Sequence, residues 1–226
     1  MTDLTGPSLT LVTDRNLYRQ SSEGASGPIS LIDAAIQGGV DIVQLRAVSG
    51  ETDDLAIYAV SLHLREMTAG KALFVVTGDI ELAEKCRADG LMLREHSYRP
   101  SDARSYLRGD NVQLVGAFAR SVEEAARAER GGADYVQFGP VFQADEATNP
   151  DQSGLAVLRK IKDAVQIRVI GFGGIQTPEQ AAECIAAGAD GVAVTDAITG
   201  AADPSDAAAK LRVALDAAWA QRHVSE

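Results

Sequence analysis

Short apolar runs alternate with amphipathic, alanine-rich stretches along nearly the whole chain. Eight runs rich in β-branched or other apolar residues predict strands. Four of them are Leu9 to Thr13, Ala72 to Thr77, Val112 to Ala119 and Ile167 to Gly171. The other four share one grammar: Gly39-Val-Asp-Ile-Val43, Ala88-Asp-Gly-Leu-Met92, Gly132-Ala-Asp-Tyr-Val136 and Gly188-Ala-Asp-Gly-Val192. In each, an Ala-rich helical pattern stops at Gly or Ala, an Asp follows, and β-branched or apolar residues take over. Asp41, Asp89, Asp134 and Asp190 recur about 45 to 56 positions apart, which is room for two strand–helix units per copy. Ser121-Val-Glu-Glu and Thr177-Pro-Glu-Gln carry the N-cap pattern that opens a helix.

Strict alternation of strand and helix implies an α/β fold, a parallel sheet with helices outside it. Eight units favour closing the sheet into a (β/α)8 TIM barrel, a single domain spanning residues 1–226, and 226 residues suffice to fill it. The alternative is an open doubly wound sheet, but no Gly-x-Gly-x-x-Gly opens a helix after the first strand. The longest irregular stretches, Arg15 to Ile29 and Gln143 to Ser153, follow strands one and six. In a barrel both lie at the C-terminal face, where barrel enzymes build their sites.

Composition narrows the class of partner. The chain is 46% hydrophobic and 23% charged, and 21 basic against 32 acidic residues give a net charge of −11. That balance disfavours nucleic acid and anionic membranes, while a few converging Arg still suit a small anion. The first residues show neither a basic start nor an apolar core of a leader, and no run reaches membrane-spanning length, so a cytoplasmic protein is expected. Cys86 and Cys184 lack Cys-x-x-Cys spacing and a nearby His; packing is expected of them, and no disulfide. His63 falls in a helical stretch and His223 in the terminal tail, both read as structural or solvated. Leu215 and Trp219 mark the apolar side of a closing helix.

Candidate chemistry centres on Ile170-Gly-Phe-Gly-Gly-Ile175, a strand that ends in glycines and brings backbone N–H groups close to an anion. Gly188 to Thr195 supplies the next strand, ending beside it. Together they predict a phosphate cup formed by Gly171, Gly173 and Gly174 with Thr195 beside them, and Asp196 follows at its edge. The competing reading of the glycines is tight packing of strand against helix.

Leu9-Thr-Leu-Val-Thr-Asp14, Gln44-Leu45-Arg46, Gln137-Phe-Gly139-Pro140-Val-Phe142, Gly171-Phe-Gly173-Gly174-Ile175 and Asp196-Ala197-Ile198 stand in the order and spacing of one family. From about Leu9 to Ile198 the chain resembles the thiamine phosphate synthases and the related thiazole tautomerases. The resemblance implies a barrel that joins a pyrimidine carried on pyrophosphate to a thiazole phosphate. Such a site needs a phosphate cup, Mg²⁺ with basic groups for the leaving pyrophosphate, and a flat slot for the pyrimidine. Mg²⁺ is therefore implied by resemblance only, and its ligand positions are not kept.

Several positions depart from the family pattern. Gln44 and Arg46 match, but Val48 replaces a Lys; Thr77 and Gly78 replace Asn-Asp, with Asp79 read as a helix cap; Ser97 replaces a second metal-binding Asp. Phe118 replaces a Ser, Asp196 another Ser, and Gln143 to Ala147 a Thr-rich loop bearing a catalytic Lys. A carboxylate at Asp196 repels phosphate unless it turns away or is paired. The tautomerase His aligns with Arg120, which stays protonated and cannot act as a general base.

The resemblance implies that Gln44 and Arg46 point into the mouth; strand alternation in the matching register then points Met92 and Arg94 inward on strand four and Phe118 and Arg120 on strand five. Arg46, Arg94, Arg120 and Gln44 are accordingly expected to contact an anionic ligand, since guanidinium grips phosphate in bidentate fashion. The alternative is that Arg94 and Arg120 pair with Glu95, Glu123 or Asp196 at the rim. Arg46, Arg120 and His96 are the candidates for a catalytic role, His96 as a proton shuttle beside Glu95. The expected partner is a phosphorylated small molecule, and association into a homo-oligomer through outer helices is possible for such barrels. Two functions follow: an enzyme acting on that ligand, or a catalytically inactive phosphate-binding or regulatory module.

Overall fold

The computed structural model describes residues 5–13, 27–46, 54–95, 97–107, 111–142 and 153–224. Eight parallel strands form a closed barrel in sequence order: β1 (Ser8–Val12), β2 (Ile42–Arg46), β3 (Leu73–Thr77), β4 (Gly90–Leu93), β5 (Leu114–Ala119), β6 (Tyr135–Phe138), β7 (Arg168–Phe172) and β8 (Gly191–Val194). β8 pairs with β1, so no edge remains open, and the doubly wound alternative is excluded.

The helices among the described residues are α1 (Gly27–Gln37), α2 (Asp54–Thr68), α3 (Ile80–Lys85), α4 (Pro100–Tyr106), α5 (Val122–Arg130), α6 (Gly154–Ala164), α7 (Pro178–Ala186), α8 (Asp196–Thr199) and α9 (Pro204–Val224). The stretch expected to be irregular through Ile29 gives way to α1 at Gly27. Ser121 and Thr177 cap α5 and α7 as their sequence predicts. Ser121 accepts from the Glu124 N–H, and Thr177 forms a capping box with Gln180. His223 lies within α9 rather than in a tail, its Nδ1 2.9 Å from the Trp219 carbonyl.

Strand alternation sorts the side chains into two cores. Outward residues such as Leu9, Val43, Phe74, Leu91, Val115, Val136, Val169 and Val192 pack under the helices. Inward residues fill the barrel: Ile42, Leu73, Val75 and Met92 on one side, Val12, Ile170 and Ala193 on the other. Both cysteines are free and buried among the outward set. Burial pushes the Cys184 thiol up to about 12, so it stays protonated and inert.

The four aspartates of the repeat close the bottom of the barrel. Each carboxylate accepts the N–H of the preceding odd strand: Asp41 from Leu9 at 2.8 Å, Asp89 from Phe74 at 2.7 Å, Asp134 from Val115 at 2.6 Å, and Asp190 from Val169 at 2.9 Å. The same odd-strand residue returns the bond, its carbonyl accepting the aspartate's own N–H in all four copies. A cation then neutralises each carboxylate: Arg212 for Asp41, Arg65 for Asp89, Arg104 for Asp134 and Lys162 for Asp190. Two residues before each Asp the backbone turns left-handed, at Gly39 (φ 106°), Arg87 (φ 56°), Gly132 (φ 86°) and Gly188 (φ 106°). The repeat is thus a fourfold register lock. It holds the strand ends of the opposite face in place, where the candidate site lies.

Candidate functional site at the C-terminal mouth

A buried polar layer underlies the mouth. Gln44 Nε2 donates to Thr77 Oγ1 at 3.0 Å and to Gln137 Oε1 at 3.3 Å across the barrel. These bonds satisfy an amide only 6% exposed, so Gln44 braces β2 against β3 and β6 from inside. Gln137 was not singled out from the sequence, although its place in Gln137-Phe-Gly139-Pro140 was the available signal. Thr13 Oγ1 donates to the Gln44 carbonyl and accepts the Arg46 N–H, each at 3.2 Å, which fixes the end of β2. Arg46 itself is exposed at that end.

The glycine turn follows β7. Gly173 has φ 86° and Gly174 φ 74°, a region that favours glycine. Both are also crowded by the loop after β6. A Cβ at Gly173 would stand 2.9 Å from the Pro140 Cα, and one at Gly174 would collide with the Phe142 carbonyl. That loop is tied back: Val141 donates to the Phe172 carbonyl at 2.9 Å and Phe142 to the Gly173 carbonyl at 3.1 Å. The packing reading and the anion reading therefore coexist, because close packing uses the carbonyls of the turn. The Gly173 and Gly174 N–H groups find no acceptor among the described residues. Gly171 differs. It lies buried within β7, with Leu158 and Cys184 opposite its α-carbon, so it makes room for helix packing.

Beside the turn, Thr195 and Asp196 begin α8. Asp196 is exposed and carries no ion pair or side-chain hydrogen bond among the described residues. Among the described residues its charge thus stands unneutralised beside the glycine turn.

The arginines divide. Arg120 ion-pairs through Nε with Glu95 Oε1, and its backbone N–H donates to Glu124 Oε2 at 2.7 Å. Its guanidinium also sits 6.0 Å from the Phe118 ring centre, while Phe118 meets Phe172 edge to face at 6.3 Å. The rim-pairing alternative holds for Arg120. Arg94 has no ion pair among the described residues. Its stem lies over Gly78, where a Cβ would stand 2.5 Å from Arg94 Cδ. A cavity of about 680 Å³ opens from these strand ends between α4 and α5, with Arg94, Glu95, Phe118 and Tyr98 in its wall. His96, Val48 and the stretch Gln143 to Ala147 lie outside the described residues.

The described residues do not fit a Mg²⁺ site. Gly78 offers no side chain, and Ser97 uses its hydroxyl on the Arg94 carbonyl at 2.7 Å. Asp79 caps α3 by accepting the Leu82 N–H at 2.9 Å, as its sequence position suggests. Among the described residues no three His, Cys, Asp or Glu side chains gather to hold a metal. No helix described is long and apolar enough to cross a membrane.

The closed ring of eight parallel strands defines the protein as a (β/α)8 barrel, with the glycine turn and strand-end arginines of its C-terminal mouth as the candidate site. The family model described as "Thiamine monophosphate synthase" matches residues 9–198, and the chain belongs to that family. It is 38% identical over 190 residues to the thiamine-phosphate synthase of Natronomonas pharaonis, covering 82% of this chain and 86% of that one. Similarity to the Haloquadratum walsbyi thiamine-phosphate synthase is also 38% over 209 residues, covering 91% and 88%. The solved thiamine phosphate pyrophosphorylase from Pyrococcus furiosus superposes with a TM-score of 0.79 at 31% identity, covering 93% and 96%.

Proposed function

We propose that this chain binds a phosphorylated small molecule of thiamine metabolism, a thiazole phosphate in the first instance, with its phosphate on the turn after β7. The observation that carries this reading is the pair of N–H groups at Gly173 and Gly174 that find no acceptor among the described residues, on a left-handed backbone beside a tied-back loop. Prearranged amides bind an anion without reorganising first, which is what a phosphate cup requires. Relatives named as thiamine-phosphate synthases support the substrate class. In that role Gln44 braces the floor and Arg46 faces the ligand from β2. Phe118 and Phe172 offer flat apolar surface to a ring.

A second reading, a phosphate-binding module without turnover, is favoured by one specific observation. Arg120, a catalytic candidate, is committed to Glu95 and stacked near Phe118. The deciding experiment mixes the pyrimidine pyrophosphate and thiazole phosphate precursors with the protein, with and without Mg²⁺, and measures thiamine phosphate. Product supports the synthase; bound ligand without product supports the module. Titration with thiazole phosphate, followed by amide NMR, is expected to move the Gly173 and Gly174 signals, and Gly174→Ala to abolish the saturation. Unmoved glycine signals would overturn the cup.

A further inference from the structure

We propose that Arg94 stands where the family's metal site would be, so that the mouth holds a pyrophosphate group by guanidinium rather than through a divalent cation. The inference rests on reading the mouth as an anion site and goes on to name what neutralises the anion.

Two positions that would supply metal ligands in the family, Gly78 and Ser97, both serve Arg94 in this chain. Gly78 clears the space: with φ 83° and no side chain, it leaves the volume taken by Arg94 Cγ and Cδ, 3.1 and 2.5 Å from where its Cβ would be. Any carboxylate at position 78 would have to displace that stem. Ser97 ties down the backbone at the same residue: its hydroxyl and its N–H donate to the Arg94 carbonyl at 2.7 and 3.2 Å. The two replacements therefore act on one residue.

The charge of that residue is available. The nearest carboxylates in the cavity wall are committed elsewhere, Glu95 to the Arg120 side chain and Glu124 to the Arg120 N–H. Arg99, Arg127 and Arg130 line the same cavity, all exposed and without ion pairs among the described residues. Arg127 and Arg130 belong to the last turn of α5, at the end of the cavity away from the mouth, so Arg94 and Arg99 are the guanidinium groups of the cavity wall nearer the strand ends. Register adds Arg46: it lies opposite Thr77, and Thr77 opposite Met92, so Arg46, Gly78 and Arg94 end three consecutive strands. Positive charge at these strand ends repels Mg²⁺ and attracts an oxyanion with several charged oxygens. Guanidinium supplies the same neutralisation with directional, bidentate hydrogen bonds and never loses its proton near neutrality.

Inorganic pyrophosphate is the probe, titrated into the full chain by calorimetry after EDTA treatment and again with Mg²⁺ added. The expected result is saturable binding in EDTA that Mg²⁺ does not tighten. Arg94→Ala should weaken it about ten- to a hundredfold, as loss of charge-assisted hydrogen bonds implies, and Arg94→Lys should recover part of the loss. An unchanged melting temperature in Arg94→Ala, where the side chain is exposed, reports an intact fold. Thiazole phosphate titrated in parallel separates the two readings. Its effect on the glycine amides is expected to survive Arg94→Ala. Pyrophosphate binding only with Mg²⁺, or equal affinity in Arg94→Ala, overturns the guanidinium site while leaving the cup standing. Loss of thiazole phosphate binding in the unmodified protein overturns the cup itself.

Discussion

Replacing Arg87 by glycine should make the protein more stable. The fourfold lock places a left-handed residue two positions before each aspartate. Three copies use glycine, and the fourth uses Arg87 at φ 56°. An L-residue in that region costs about 1 to 2 kcal/mol. Glycine gives back about 0.4 to 1 kcal/mol through the greater freedom of the unfolded chain. The Arg87 side chain is exposed, and its backbone bonds to Glu84 and Arg65 do not depend on it. The net gain is therefore about 0 to 1.6 kcal/mol and centres on about 0.8, which is about 2 to 3 °C in melting temperature for a chain of this length. Gly132 offers the reciprocal test. Nothing lies within 4 Å of a Cβ added there, so Gly132→Ala feels its φ of 86° alone and should lose about 1 kcal/mol. Urea unfolding of both variants measures the two changes. A loss of stability in Arg87→Gly, or no cost in Gly132→Ala, would refute the assignment of strain to these corners.

Removing the buried carboxylate of the fourth lock, Asp190→Ala, strands the Val169 N–H and Lys162 and leaves Arg222 without its carboxylate at 3.6 Å. It should cost about 3 to 5 kcal/mol in urea unfolding, and a loss under 1 kcal/mol would show that the lock is ornamental. Gly174→Ala should lower stability by at least about 1 kcal/mol from its φ alone, and more from the Phe142 carbonyl; a calorimetric scan without a shift contradicts this. Cys184 should resist alkylation at neutral pH until the protein unfolds, since burial holds its thiol up at about 12. The sign follows from that direction. The fold favours the protonated thiol, so this stabilisation is whole below the ordinary value of 9.0 and is lost as pH rises toward about 12. Mass-spectrometric labelling against pH reads the first effect and unfolding midpoints above pH 9 read the second.

Periodicity alone determined the barrel. Alternating apolar runs and Ala-rich helical stretches specify strand and helix because burial on one face demands those periods, and eight parallel strands leave closure as the way to remove both edges. The inward placement of Met92 and Phe118 followed from strand alternation and the matching register. Gly173, Gly174 and Asp79 were likewise legible, since left-handed turns and helix caps are local chemistry. The repeated aspartates were visible as junctions, but their role was not. Their partners Arg65, Arg104, Lys162 and Arg212 stand 24 to 171 positions away and meet them only in three dimensions. The mouth was decided in the same way. Arg120 and Arg94 looked equivalent in sequence, both two residues beyond an inward apolar side chain. Tertiary packing gave Arg120 a carboxylate at Glu95, while Arg94 lies over Gly78 without an ion pair among the described residues. Pairing energies depend on which groups approach within a few ångströms, and that proximity is a property of the closed barrel rather than of the order of residues.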